Sequence, residues 1–247
     1  MNLYGKNVNY IQFGTGDKDV VLLHGWGQNI EMMEPVGRNI QNARVTIFDL
    51  PGFGKSEEFD LSADVEQYVD WLKEALTKLG IDNPVLVGHS FGGRVSIKYA
   101  AKYPTSAVVL LASPIIREKH DPTIQERFYK VVKKTPFGEY FRKKIGSADY
   151  NNASPIMRET LVKVVNEDLL EDAKKIKAPT LFLAGRNDTA VKLETSEVAI
   201  EEMQKAGVDA AISVQEGDHY AYLQNLGQTS GAINCLVKTL KPNNKTR

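Results

Sequence analysis

The chain is poor in cysteine, in net charge and in long apolar runs. A single cysteine, Cys235, stands among 247 residues, so neither an intramolecular disulfide nor a Cys-x-x-Cys metal cage can form. A reducing compartment, the cytoplasm, is the expected location. Lys and Arg number 31, as do Asp and Glu, so the chain lacks the basic excess of a nucleic-acid binder. No stretch approaches the roughly 18 apolar residues that a membrane span needs. The opening MNLYGKNVNYIQFG has no apolar signal core behind basic residues. The expected partner is a small molecule, with no nucleic acid and no membrane. On oligomeric state, monomer or dimer, the sequence is silent.

What is present fits an ordinary globular protein. A 42% apolar and 25% charged composition excludes disordered, collagen-like and mucin-like chains, and the length suits one large α/β core. Short β-branched runs at residues 20–23, 44–48, 84–87, 107–111, 180–183 and 210–214 alternate with longer amphipathic segments. That rhythm predicts a mostly parallel sheet with helices on both faces. Residues 4–13 alternate and end at Gly14-Thr15-Gly16, the pattern of an antiparallel edge hairpin. Val65, Tyr68, Val69, Leu72, Leu76 and Leu79 recur at helical spacing, with Ser62 as the expected N-cap and Gly80 as the stop. Further helices are expected from Phe91 to Pro104, after Leu193, and over residues 222–240.

Residues 114–177 break the rhythm. They carry two helical stripes, Ile124, Phe128, Val131, Val132 and then Ile156, Met157, Thr160, Leu161, Val164, Val165, and no strand run. This predicts a helical cap (114–177) inserted into a core made of residues 1–113 and 178–247. Residues 117–144 carry a net charge of +5 and residues 145–172 a net −4, read as the solvated faces of two cap helices meeting across a salt-bridged seam.

The sharpest chemical signal is Gly88-His89-Ser90-Phe91-Gly92, a Gly-x-Ser-x-Gly that follows an apolar strand and opens a helix. A side chain at either glycine would collide with the neighbouring strand or helix, so Ser90 is presented at the top of the sheet. The N–H of Phe91, at the start of the helix, points toward an oxyanion formed there, where the helix dipole also favours negative charge. Two more motifs follow strands: His24-Gly25-Trp26-Gly27, and Asp49-Leu50-Pro51-Gly52-Phe53-Gly54-Lys55-Ser56.

With these motifs the chain resembles the α/β-hydrolase superfamily along nearly its whole length. The resemblance implies an eight-stranded, mostly parallel sheet with helices on both faces, a helical cap, and a triad in the order Ser, Asp, His. Ser90 is then the nucleophile, His219 the base and Asp188 the orienting acid, with the N–H groups of Trp26 and Phe91 as the oxyanion hole. Asp188 stands three residues after Gly185, as the family pattern has it, but lacks the proline often found a few residues on. Asp218 and Asp121 are the rival acids. His24 and His89 sit inside backbone motifs and are read as structural or pocket-lining. His24, Phe128, Phe137 and Met157 are the pocket candidates.

The implied reaction is hydrolysis of a small carboxylic ester by a carboxylesterase-like enzyme through an acyl-enzyme, with no metal and no cofactor. Arg94, one helical turn after Ser90, is read as pairing with an acid on the outer side of its helix. The Gly-Gly-Arg ending is also seen in the pyruvate-eliminating lyase of menaquinone synthesis, where a cation could hold a substrate carboxylate. That lyase, the C–C bond hydrolases of meta-cleavage products, and a slow-turnover ligand sensor are the alternatives.

Overall fold

The computed structural model describes residues 1–117 and 153–240. Strands β1 (Asn2–Leu3) and β2 (Lys6–Asn7) pair antiparallel across Tyr4 and Gly5. Both turn residues have positive φ, the backbone of a tight hairpin turn. A seven-stranded sheet follows, in the order β3-β5-β4-β6-β7-β8-β9. Its members are β3 (Tyr10–Phe13), β4 (Lys18–Leu23), β5 (Ala43–Phe48), β6 (Val85–His89), β7 (Ala107–Leu111), β8 (Thr180–Gly185) and β9 (Ala210–Gln215). Only β3 runs antiparallel, at the edge beside β5. The six apolar runs are thus the six parallel strands. The expected count of eight is corrected to seven among the described residues, because β1 and β2 close on each other as a separate ribbon and only β3 joins the sheet.

Side chains alternate between the two faces of each strand. Val20 and Leu22 of β4, with Val85 and Val87 of β6, meet α1 (Ile30–Arg38) and α8 (Leu226–Thr239) on one face. Val21 and Leu23 face α2 (Val65–Lys78) and α3 (Phe91–Lys102) on the other. Val108 and Leu110 of β7, with Phe182 of β8, pack under α6 (Leu193–Lys205) on that same side. Each such buried aliphatic side chain contributes roughly 1.5–3 kcal/mol of transfer free energy.

Helix α2 starts two residues later than expected. Asp64, not Ser62, caps it, accepting from Gln67 N while the Gln67 side chain accepts from Asp64 N, a reciprocal capping box. The last expected helix is two, α7 (Ala221–Gln224) and α8, divided at Asn225, whose side chain donates to the Glu216 and Ala221 carbonyls. Helix α1 has no counterpart in the sequence reading, its pattern being interrupted by Pro35 and Gly37.

Between β7 and β8 the described residues hold α4 (Pro155–Asn166) and the short α5 (Leu170–Ala173). Helix α4 is the second of the two expected stripes. It is tied to the core where Thr160 Oγ1 accepts from Ala63 N at 3.0 Å. The first stripe, with the pocket candidate Phe128, lies outside the described residues, as do the pocket candidate Phe137 and the rival acid Asp121. Among those described, no helix is long and apolar enough to cross a membrane.

Two groups at the carboxyl ends of β4 and β5 hold the loops there. Asp49, 2% exposed, accepts from Ile30 N at 2.8 Å, Asn9 Nδ2 at 2.7 Å and Lys55 N at 2.8 Å. His24 accepts from Leu50 N at 3.0 Å through Nε2 and donates from Nδ1 to the Gly25 carbonyl at 2.7 Å. Burial pulls the His24 imidazolium down to about 4 and that of His89, at the end of β6, down to about 3, so both rings are neutral at pH 7.

Replacing Asp49 by Ala strands three donors, two of them backbone N–H groups, and is expected to lower unfolding free energy by about 3 kcal/mol in urea titrations. The two buried histidines give a pH dependence. Unfolded chains take up protons at His24 and His89 below about pH 6.5 while the native state stays neutral down to about 4 and 3. Stability from these two groups is therefore full above pH 6.5 and falls as pH drops. The slope approaches roughly 3 kcal/mol per pH unit near pH 5. Urea midpoints equal at pH 7.5 and 5 would contradict this assignment.

Candidate active site

Strand β6 passes into α3 through Ser90, whose φ of 47° and ψ of −108° lie where L-residues are strained. The strain is held by close backbone packing on both sides. A Cβ on Gly88 would lie 2.5 Å from the Gly92 carbonyl, and one on Gly92 would overlap the Leu23 carbonyl of β4. The glycines are needed for the collisions the sequence suggested. Gly92 N–H donates to the His24 carbonyl at 3.1 Å, and Ser90 N–H to the Leu111 carbonyl at 2.9 Å. The turn is thereby fastened to the strands on either side of β6.

The first of these bonds brings the His24-Gly25-Trp26-Gly27 loop beside the turn. The rings of Trp26 and Phe91 meet edge-on at 5.4 Å. Their backbone N–H groups donate to no acceptor among the described residues.

His219 and Asp188 come from the loops after β9 and β8. His219 Nδ1 lies 2.8 Å from Asp188 Oδ2. The other Asp188 oxygen accepts from Ala190 N at 2.8 Å and Val191 N at 2.9 Å, a local turn that sets the loop path without the missing proline. Burial pushes the Asp188 carboxyl up, but the bonds from His219, Val191 and Ala190 outweigh it and hold the group below the ordinary carboxylate range. Asp218 is occupied elsewhere, accepting from Tyr220 N and Gln224 Nε2. Of the two rivals, the described one does not reach the imidazole.

His89 links this pair to the turn. Its Nε2 lies 3.1 Å from the His219 carbonyl oxygen and its Nδ1 3.1 Å from Gln28 Oε1, and its ring stacks at 4.5 Å on Tyr222. The backbone of His219 is thus fixed against the residue that immediately precedes Ser90.

A cavity of about 290 Å³ opens over Ser90. Trp26 and Phe91 line it, as the sequence suggested, and Leu161, Val164 and Val165 of α4 form its far wall. These three belong to the second cap stripe but are absent from the pocket candidates, which favoured aromatic residues. Met157, from the same helix, is buried against Gly52 and lines a second cavity of about 340 Å³ on the other side of Trp26. His24 lines neither cavity, and both of its ring nitrogens are used in the bonds described above, so its place is in the scaffold and not in the pocket.

Arg94 also departs from expectation. It is 4% exposed, lies on the inner side of α3, and lines the cavity that holds Ser90. Its Nη1 donates to the Pro114 carbonyl at 3.2 Å and its Nη2 to the Glu167 carbonyl. The Glu167 carboxylate pairs instead with Lys98. Arg117 and Lys192 also line the cavity. Nothing in the sequence motifs marks them, though Lys192 follows Asp188 closely enough to share its loop.

Comparison with known proteins agrees with this architecture. The α/β hydrolase fold family matches residues 19–151. A pimeloyl-acyl-carrier-protein methyl ester esterase of Shewanella woodyi is 33% identical over 42% of this chain and 40% of its own length. Lipase 1 of Psychrobacter immobilis is 27% identical over 92% of this chain and 79% of its own. An α/β hydrolase enzyme from a Medee basin deep-sea metagenome library superposes with a TM-score of 0.77 at 19% identity, covering 98% of each chain, a likeness of fold. The chain spans 26% and 40% of the first two curated relatives it matches. With more than half of its residues matched by the family and the sheet, turn and loops in the corresponding order, the chain belongs to the α/β-hydrolase fold family.

Proposed function

We propose that the chain is a cytoplasmic serine hydrolase that cleaves small carboxylic esters through an acyl-enzyme. The observation that carries this reading is the 2.8 Å bond between His219 Nδ1 and Asp188 Oδ2, anchored through His89 beside a strained, cavity-lining Ser90. With Nδ1 donating to Asp188, Nε2 is left with the lone pair that a base needs.

The chemistry then balances in two steps. Ser90 Oγ bonds to the acyl carbon while its proton passes to His219 Nε2. The bond to the alkoxy oxygen breaks, and that oxygen leaves with the proton. Water, deprotonated by the same nitrogen, releases the acid and restores Ser90. Charge on the carbonyl oxygen is met by the unengaged N–H groups of Trp26 and Phe91, each such donor being worth about 10²–10³ in rate. Asp188, kept ionised by its donors, holds the imidazole tautomer and stabilises the imidazolium.

A cavity of about 290 Å³ lies at the small end of ligand pockets, which favours short acyl groups over long lipids. Across a p-nitrophenyl ester series, kcat/KM is expected to peak at short chains and to fall for chains beyond about eight carbons. A preference for long chains would overturn the size argument.

Ser90→Ala is expected to remove at least about 10⁴-fold of kcat and all labelling by a fluorophosphonate. Asp188→Asn is expected to lower kcat roughly 10⁴-fold while leaving the protein folded. Full turnover by the Ser90→Ala protein sinks the scheme. A burst of nitrophenol followed by almost no steady turnover would instead identify a sensor that acylates without release.

A further inference from the structure

The loop that carries Trp26 is closed by one residue. Gln28 N–H donates to the Gly25 carbonyl at 3.2 Å, and Gln28 Oε1 accepts from Gly25 N at 2.9 Å. Both backbone groups of Gly25 are thus taken by Gln28, and Trp26, whose N–H is a candidate oxyanion donor, lies inside the ring they close. Gln28 lines neither of the two cavities beside Trp26, so its part is in the loop and not in the pocket.

The same side-chain oxygen faces His89. Gln28 Oε1 is 3.1 Å from His89 Nδ1, and His89 Nε2 is 3.1 Å from the His219 carbonyl oxygen. A neutral imidazole carries one N–H, and both of its neighbours here are acceptors, so the loop and the candidate base draw on one proton. Turning the Gln28 amide over would offer His89 a donor but leave Gly25 N–H facing an NH₂ group, at the cost of an unsatisfied donor. The approach also explains Gly25. A Cβ there would lie 2.7 Å from His89 Nδ1 and 3.1 Å from Gln28 Oε1. A continuous set of contacts therefore runs from the Trp26 loop through Gln28 and His89 to His219. Its geometry matters because an oxyanion donor acts only within about 2.7–3.1 Å of the charge it meets.

We propose that Gln28 is a positioning residue for the oxyanion hole: its side-chain oxygen fixes the Gly25–Gln28 turn so that Trp26 N–H meets the charge formed at Ser90, and registers that turn through His89 to His219. This rests on the reading of Ser90 as nucleophile and Trp26 as oxyanion donor. The oxyanion exists only once Ser90 has attacked, so loss of the Gln28 oxygen acts on the transition state and not on ground-state binding. A merely structural role would lower the fraction of folded enzyme. That reduces apparent kcat but leaves KM and inhibitor affinity of the surviving sites unchanged.

The test replaces Gln28 by Met, which has similar length and no acceptor oxygen. With p-nitrophenyl butyrate, kcat is expected to fall about 10- to 100-fold, part of the worth of one oxyanion donor, while KM stays within about threefold of wild type. A short alkyl trifluoromethyl ketone reads the hole directly. Ser90 Oγ adds to its carbonyl carbon, the serine proton passes to His219 Nε2, and the carbonyl electron pair stays on oxygen as the oxyanion, with no group leaving. Its inhibition constant is expected to rise at least about tenfold in Gln28→Met. A third arm needs no turnover: exchange of the Gly25 amide proton, followed by NMR, is expected to quicken at least about fivefold, the value of one neutral hydrogen bond. An unchanged kcat, a fall in kcat with an unchanged inhibition constant, or an unchanged Gly25 exchange rate overturns the proposal. If Gln28→Met does not fold, Gly25→Ala sets a methyl against the same two side chains. It is expected to show the same separation of kcat from KM and the same weakened inhibition, and wild-type values for both overturn the proposal equally. If the wild-type enzyme neither hydrolyses the ester nor binds the ketone while Gly25 exchange still quickens in Gln28→Met, the nucleophile reading fails and the hold of Gln28 on the loop stands.

Discussion

The arrangement at the carboxyl edge of the sheet depends on one close approach, that of the α3 amino terminus to the end of β4. It requires Gly92, because a Cβ there would overlap the Leu23 carbonyl. The approach lets Gly92 N–H reach the His24 carbonyl, and through it the Trp26 loop is held beside Ser90. It also forces Ser90 to φ 47°, since the chain must reverse within one residue while Gly88 presses against Gly92. A strained serine and its two candidate oxyanion donors therefore follow from a single packing constraint between a strand and a helix.

The imidazole and carboxylate are positioned by a different route. Asp188 is fixed by its own backbone, accepting from Ala190 and Val191, and His219 is fixed from behind, its carbonyl facing His89. His89 precedes Ser90 in the chain, so the candidate base is registered to the candidate nucleophile through one intervening ring. Burial keeps that ring neutral, so it adds no second positive charge beside His219. The donors around Asp188 work in the opposite direction and keep it ionised. Two neighbouring environments thus hold one group neutral and the other charged at pH 7.

Most of this was legible in the sequence for a physical reason. Parallel strands buried on both faces are short continuous apolar runs, so β4 through β9 stand out, and the elbow glycines are imposed by backbone contacts that admit no other residue. What was not legible came from elements whose stability is tertiary. Helix α1 contains Pro35 and Gly37 and is held by Asn29 at its cap and by the Asp49 carboxylate on Ile30 N, a partner 19 residues away. The split at Asn225 depends on the Glu216 carbonyl, again remote in sequence. In the cap, an apolar helical stripe was visible at residues 156–165, but which of its members face the cavity is set by how α4 sits on the core. Leu161, Val164 and Val165 face it, whereas Met157 turns to the other side of Trp26.

Arg94 shows most clearly why composition cannot describe a site. The chain as a whole balances 31 basic against 31 acidic residues, and a mid-helix arginine is ordinarily a surface residue that pairs with a neighbour. Here α3 is buried nearly all round, from Phe91 through Ile97, so its position four residues on from Ser90 is buried as well. The acids that could have neutralised it are drawn off by Lys98 and by backbone N–H groups. The result is a local excess of positive charge inside a neutral protein, placed one helical turn from the candidate nucleophile.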